Sequence, residues 1–237
     1  MKNNEIDDHS NGMYFGNETR ITGDIIGGNK YEIKFYALAS IASNGQIDWE
    51  QYRTQDNIQS EEPYQFLSYY DTTDADIFFG REAVSQLLAS KISSHKLILI
   101  NGKSGSGKTS LINAGIIPIL VNKKYFTMVF REYGHPTELI KAGIENLENV
   151  NIDLSNSTTL LECLQQTSRQ IQRPLAIFFD QFERFFFNLP LTKRSQFIQE
   201  FRECLQVLNA QKLNIIISVR QDFYGNLGEF WQSIPEF

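Results

Sequence analysis

The chain has 237 residues, 41% of them hydrophobic, which suffices for one sizeable core and a tail besides. Its formal charge of −6 gives no general attraction to nucleic acid or to an anionic membrane, so neither is an expected partner. Cys163 and Cys204 make no disulfide framework and no metal-ligand spacing, and the start is polar and acidic with no apolar run near the ~18 residues of a membrane span, which points to a cytoplasmic protein without a secretion signal.

Residues 1–62 read as a polar N-terminal segment, partly disordered, with the breaker pairs Asn11-Gly12 and Gly27-Gly28. Residues 31–41 have strand-like content before the turn signal Asn44-Gly45, so a short hairpin is expected there. Residues 51–75 read as a loosely packed linker, and organised structure is expected from about Asp76. The core, 63–237, then alternates. An apolar strand at 96–100 runs into a glycine-rich turn and a helix over 110–121. A strand at 125–130 precedes Pro136 at a first helical position, with Ile140, Ile144 and Leu147 on one face. Thr159 and Glu162 have capping-box spacing before a helix ending near Ile171. The run LAIFF ends at Asp180, a stripe of Phe197, Phe201, Cys204, Leu205 and Leu208 marks another helix, and LNIIISV from Leu213 is a fourth buried strand. Strands that are apolar throughout, separated by helices, predict an α/β fold with a mostly parallel sheet flanked by helices.

Three segments carry chemistry. GKSGSGKT, residues 102–109, fits G-x-x-x-x-G-K-[ST] after a strand and at the start of a helix. Gly102, Gly105 and Gly107 let backbone N–H groups, with those of Lys103, Ser104, Ser106 and Ser110, converge on phosphate at the positive end of the helix. Lys108 is expected on the β and γ phosphates, and Thr109 on magnesium. The second segment is LAIFFDQFE, in which a buried strand delivers Asp180 at its carboxyl end, the end that faces the ligand crevice in open α/β sheets. An aspartate there could also cap the next helix, but behind a P-loop the expected role is on magnesium. Glu183 could polarise an attacking water, and Gln181 could orient one while being a poor base. The third is SVRQDFYGNL, where Arg220 leaves a strand end within expected reach of a γ-phosphate, the alternative being a surface pair with Asp222. Phe182, Phe185, Phe186 and Phe187 read as helix-packing residues, and His9, His95 and His135 show no ligand spacing.

Together FFGRE (78–82), GKSGSGKTSLINAGIIPIL (102–120), FFDQFERFF (178–186) and SVRQDFYGNL (218–227) resemble the STAND class of P-loop ATPases, in its bacterial novel STAND group, over roughly 63–235. The resemblance implies a signalling switch, including antiphage sensors, that holds ADP when off, binds ATP when on and forms a homo-oligomer when activated by a sensor ligand, here unknown. It implies Gly80 and Arg81 in a nucleotide-flanking motif, Lys108 and Thr109 on phosphate and magnesium, Asp180 on magnesium, and Arg220 as a sensor arginine. Family members carry a fifth strand beyond the P-loop strand and then a lid, both expected to be missing here. Residues 96–100 should then form a sheet edge, unless residues 31–41 cover it. Slow magnesium-dependent ATP hydrolysis is the expected activity. A housekeeping P-loop NTPase and a nucleotide-binding module without hydrolysis are the alternatives; no LSGGQ or NKxD motif supports the first, and Gln181 directly after Asp180 keeps the second open.

Overall fold

The strands explain the architecture. Each residue of FTMVF and of LAIFF is buried, and LNIIISVR is buried up to its final arginine, so these strands have no face to offer water and must lie inside a sheet covered on both sides. The computed structural model, which describes residues 19–26, 29–36, 68–131, 133–134, 136–145, 154, 157–209 and 213–234, has that form. Its elements are β1 (Thr19–Ile26), β2 (Asn29–Tyr36), a 3-10 turn (Thr72–Ile77), α1 (Glu82–Ile92), β3 (Leu97–Gly102) and α2 (Lys108–Ser110). The rod of α2 continues through a π-helical stretch (Leu111–Ile116) into α3 (Ile117–Asn122). Then come β4 (Phe126–Phe130), α4 (Pro136–Glu145), α5 (Leu160–Ile171), β5 (Leu175–Phe179), α6 (Glu183–Asn188), α7 (Leu191–Val207), β6 (Leu213–Arg220), a second 3-10 turn (Gln221–Leu227) and α8 (Gly228–Trp231).

The sheet order is β1-β2-β4-β5-β6-β3. The last four strands are parallel, with Phe130 opposite Phe179, Phe179 opposite Ile217, and Gly102 opposite Arg220. Alternation along each strand divides the interior into two cores. Leu175, Ile177 and Phe179 join Leu213, Ile215, Ile217 and Val219 under α4 to α8, whereas Ala176, Phe178 and Ile216 face α1 and the α2–α3 rod. α4 starts on Pro136, and Thr159 and Glu162 form the capping box of α5. Leu147 lies outside the described residues.

One expectation needs correcting, and another falls partly outside the described residues. β1 and β2, on either side of Gly27-Gly28, pair antiparallel, and β2 takes in 31–36 of the expected strand-like stretch; the expected turn at Asn44-Gly45 lies outside the described residues, as do 37–67. A glycine pair between two strands outweighs the polar composition that made this stretch read as tail. β2 pairs antiparallel with β4, so it covers the edge opposite the P-loop strand. Among the described residues β3 pairs with β6 alone and ends the sheet. Order also begins before Asp76. Asp71 and Asp74 form a capping box on the first 3-10 turn, and the backbone of Tyr70 donates to Ser110 Oγ at 3.2 Å, which docks this segment on the P-loop helix.

Candidate functional site

The carboxyl ends of β3, β5 and β6 open onto a cleft of about 690 Å³. Its floor is the turn between β3 and α2. Gly105 (φ +71°) and Gly107 (φ +80°) are left-handed with open space where a Cβ would stand, so conformation rather than crowding demands glycine there. At Gly102 a Cβ would meet Ser106 Oγ at 2.9 Å, a contact that a shift of that hydroxyl would relieve. The Lys108 ammonium spans the turn, donating to the carbonyls of Gly102 and Lys103 at 2.9 Å each.

Beside the turn, Thr109 Oγ1 donates to Asp180 Oδ2 at 2.8 Å. Asp180 is fully buried, and each of its polar atoms has a protein partner. Oδ2 also accepts from Arg131 Nε at 3.2 Å, and Oδ1 accepts from the Gln181 N–H at 3.0 Å. Its N–H donates to the Phe130 carbonyl, and its carbonyl accepts from the Tyr133 hydroxyl at 2.6 Å. Burial pushes that hydroxyl well above the ordinary tyrosine range, with the charges of Asp180 and Glu183 adding to the effect, so Tyr133 stays a donor. Gln181 turns the chain in the left-handed region (φ +56°), and the next N–H, that of Phe182, donates to the Ser218 carbonyl at 2.8 Å, fastening β5 to β6.

Glu183 is buried, and its Oε2 accepts from the Arg220 N–H at 3.2 Å. The Arg220 guanidinium turns outward: it forks onto Asp222 at 3.1 and 2.5 Å and lies over the Phe223 ring at 5.2 Å. That contact holds the Asp222 carboxyl below its usual range. Of the expected site residues, Ser104 to Ser110, Asp180, Gln181, Glu183 and Arg220 line the cleft. Gly102 and Lys103, whose carbonyls accept from Lys108, do not, and neither do Gly80 and Arg81. The latter two are exposed at the start of α1, where the Gly80 N–H and Arg81 carbonyl bind Glu82 Oε1 and Ser85 Oγ. Phe182, Phe185 and Phe186 are buried in the core, but Phe187 is 67% exposed, lines the cleft and meets Phe223 edge-on. A second cleft of about 50 Å³ between α4 and α7 shares no residue with this one.

Arg131, Asn113 and Tyr69 escaped sequence reading. Arg131 follows β4 directly as Asp180 follows β5, and Phe130 pairs with Phe179, so the two charges stand side by side at adjacent strand ends. A charge directly after an apolar strand was the available signal. Asn113 is a fully buried amide inside the helix, and Tyr69 lies in the segment read as linker.

The residues present suit a polyphosphate with a divalent cation. Lys108, Arg184 and Arg220 outnumber Asp180 and Glu183 in the cleft of a chain that is acidic overall. Ser218 Oγ, one strand over from Asp180, is buried with no protein partner. Among the described residues no three His, Cys, Asp or Glu side chains gather as a metal cage, so a cation here would draw its other ligands from phosphate and water, as magnesium does. No helix of the described residues is long and apolar enough to cross a membrane.

Comparison with known proteins agrees. The Walker-type ATPase PABY2304 of Pyrococcus abyssi superposes with a TM-score of 0.52 at 17% identity, over 72% of this chain and 52% of that one. The likeness is one of fold, and the chain spans about half the length of that protein. No curated protein matches the chain. The profile of the family described as Novel STAND NTPase 1 matches residues 63–235, and the chain, a P-loop NTPase by fold and by loop, belongs to that family.

Proposed function

We propose that the chain is an ATP-binding, magnesium-dependent switch module that hydrolyses ATP slowly and serves a cytoplasmic STAND-type signalling protein, antiphage defence being one setting, which assembles when a sensor ligand arrives. The observation that carries this reading is the Thr109–Asp180 hydrogen bond beside the left-handed glycines of the turn, because it puts a hydroxyl and a carboxylate together where phosphate would lie. Bound magnesium would supply charge neutralisation between the phosphates.

The chain's own groups then divide the work. Backbone N–H groups of 102–110 hold phosphate oxygens, and Lys108 exchanges its two carbonyls for β and γ oxygens. Thr109, its hydroxyl proton donated to Asp180, and Asp180 itself would hold the cation, the threonine through its oxygen and the carboxylate through the ion's water shell. Arg220 leaves Asp222 for the γ-phosphate, an exposed and solvent-screened pair being readily exchanged. Glu183 polarises the attacking water, with Gln181 orienting it. Gly80 and Arg81 would flank the nucleotide from outside the cleft.

A module that binds without hydrolysing is favoured by one feature: the carboxylate of Glu183 already accepts a backbone N–H and is buried. Single-turnover measurement with ATP and magnesium separates the readings. Phosphate release abolished by Glu183→Gln with nucleotide affinity kept supports hydrolysis, and no release from the unaltered chain refutes it. For the site itself, Asp180→Asn should reduce the affinity gained on adding magnesium by about tenfold, the worth of one charge-assisted contact. Identical magnesium titrations would make Asp180 purely structural.

A further inference from the structure

Arg131 is held on three sides. Its side chain is 12% exposed, and Nε donates to Asp180 Oδ2, Nη2 to Asn113 Oδ1 and Nη1 to the Tyr69 hydroxyl, each at 3.2 Å. The guanidinium also lies over the Tyr69 ring, 4.6 Å from its centre. The residues after Tyr69 fasten to the P-loop helix, Tyr70 by its N–H on Ser110 Oγ and Asp71 by Oδ1, which accepts from Asn113 Nδ2 at 3.4 Å. Asn113 therefore touches both the arginine and the arriving chain, from inside the helix that begins at Lys108.

We propose that Arg131 is a positioning residue for the Asp180 carboxylate, and that Tyr69 locks Arg131 in place, so that docking of residues 68–71 is coupled to metal-assisted nucleotide binding. The proposal rests on the reading of Asp180 as the carboxylate that serves magnesium. Asp180 Oδ2 is shared between a hydroxyl that must also face the metal and a planar guanidinium that must not. The guanidinium is thus the partner that can fix the plane of the carboxylate whatever the metal does. A simple counter-ion for a buried carboxylate would be replaceable by lysine, and Tyr69 would be irrelevant to it. A forked donor is not replaceable by a point charge. Coupling of this kind is reciprocal: if a docked strap favours metal and nucleotide, then metal and nucleotide must tighten the strap.

The test uses the whole chain and a non-hydrolysable ATP analogue, titrated calorimetrically in EDTA and in magnesium. The readout is the ratio of the two dissociation constants, which cancels losses that do not involve the metal. Arg131→Lys should shrink that ratio by about tenfold, and Tyr69→Phe, which keeps the ring and removes the acceptor oxygen, by about threefold. Hydrogen exchange at the Tyr70 amide should slow when magnesium and analogue are added to the unaltered chain, and should not slow in Arg131→Lys. Tyr69 is 40% exposed and loses one atom in Tyr69→Phe, so that variant keeps the question open to refutation even if the lysine variant folds poorly. Unchanged ratios in both variants, or a Tyr70 amide indifferent to the analogue, overturn the coupling. Lys108→Ala run in parallel separates the two levels. Retained affinity there would overturn the nucleotide site itself, whereas lost affinity with unchanged ratios elsewhere overturns the strap alone.

Discussion

One face of the sheet is filled with rings and the other with branched aliphatics, and the cleft opens beside the second. On the first, Phe179, Phe182, Phe185, Phe197, Phe201, Phe230 and Tyr133 touch one another edge-on or tilted, with Phe182 and Phe185 stacked at 4.8 Å. Such pairs add ~0.5–1.5 kcal/mol each to the burial of the rings themselves. On the second, Leu111, Ile112 and Ile116 of the P-loop helix pack with Ile92 and Ile216, and the same helix buries Asn113 and brings Gly115 so near Ser85 and Phe78 that a methyl would collide with Ser85 Oγ. The first face stabilises by mass of apolar contact. The second positions a helix end, through close approach and a few polar contacts, so damage to the two should have different signatures.

The largest effect should come from the ringed face. Phe185→Ala removes a ring packed against Tyr133, Phe182, Phe186, Phe197 and Phe230, and should cost about 3–5 kcal/mol in denaturant unfolding. Nucleotide affinity of the fraction still folded should stay as it was; a cost under ~1 kcal/mol would break the comparison. Lys108→Ala should do the reverse, lowering nucleotide affinity by about a hundredfold, the worth of a lost charge-assisted pair of contacts, with little change in the melting of the nucleotide-free chain. Gly115→Ala should harm both, by about 1–3 kcal/mol of stability and by a displaced helix start that weakens nucleotide binding. Adding Ser85→Ala should recover part of each, since it removes the atom the new methyl strikes. Arg220→Ala should weaken ATP by about three- to tenfold more than ADP in paired titrations, and equal losses would remove its sensing role.

The last effect is absent at neutral pH and appears only in alkali. Burial raises both Cys163 and Cys204 from 9.0 to about 12 in the fold. A group whose folded value is raised stabilises fully below its unfolded value and loses that contribution as pH rises towards the folded one. Stability should therefore fall between about pH 9 and 12. Cys204→Ala and Cys163→Ala should flatten that slope in alkaline melts, and an unaltered slope would assign it to other groups.

The residues that were legible in the sequence are those whose roles are local. A glycine pattern after an apolar strand identifies a P-loop because its turn is made within eight residues, 102–109, and an acid ending LAIFF stands out for the same reason. Thr159 and Glu162 are legible because a capping box closes within one helical turn. Arg131 is different: its meaning depends on β4 lying next to β5 and on Asn113 and Tyr69 arriving from elsewhere, contacts that no spacing encodes. Phe187 misled for a related reason, since helix periodicity cannot say that α6 turns its last ring out over the cleft. β1 and β2 were not legible as part of the sheet because β-strand propensity depends on the partner edge, and β2 has its edge in β4 and β1 in β2.

The position of β3 at the end of the sheet also says something about when the site can exist. Leu97 pairs with Ile215, and among the described residues the strand that feeds the P-loop has no sheet partner other than β6. That pairing closes the longest loop between parallel strands in the chain, and closure of long loops is what makes such sheets slow to fold. The helix after the glycine-rich turn can lean on Ala176 and Phe178 of β5, but the strand that feeds the turn gains its sheet partner only with β6. β4 and β5 can pair beforehand, and the ringed face can begin to collapse around them, while the loop waits. A chain lacking residues from Leu213 onward would carry every residue of its phosphate loop on a strand without its sheet partner.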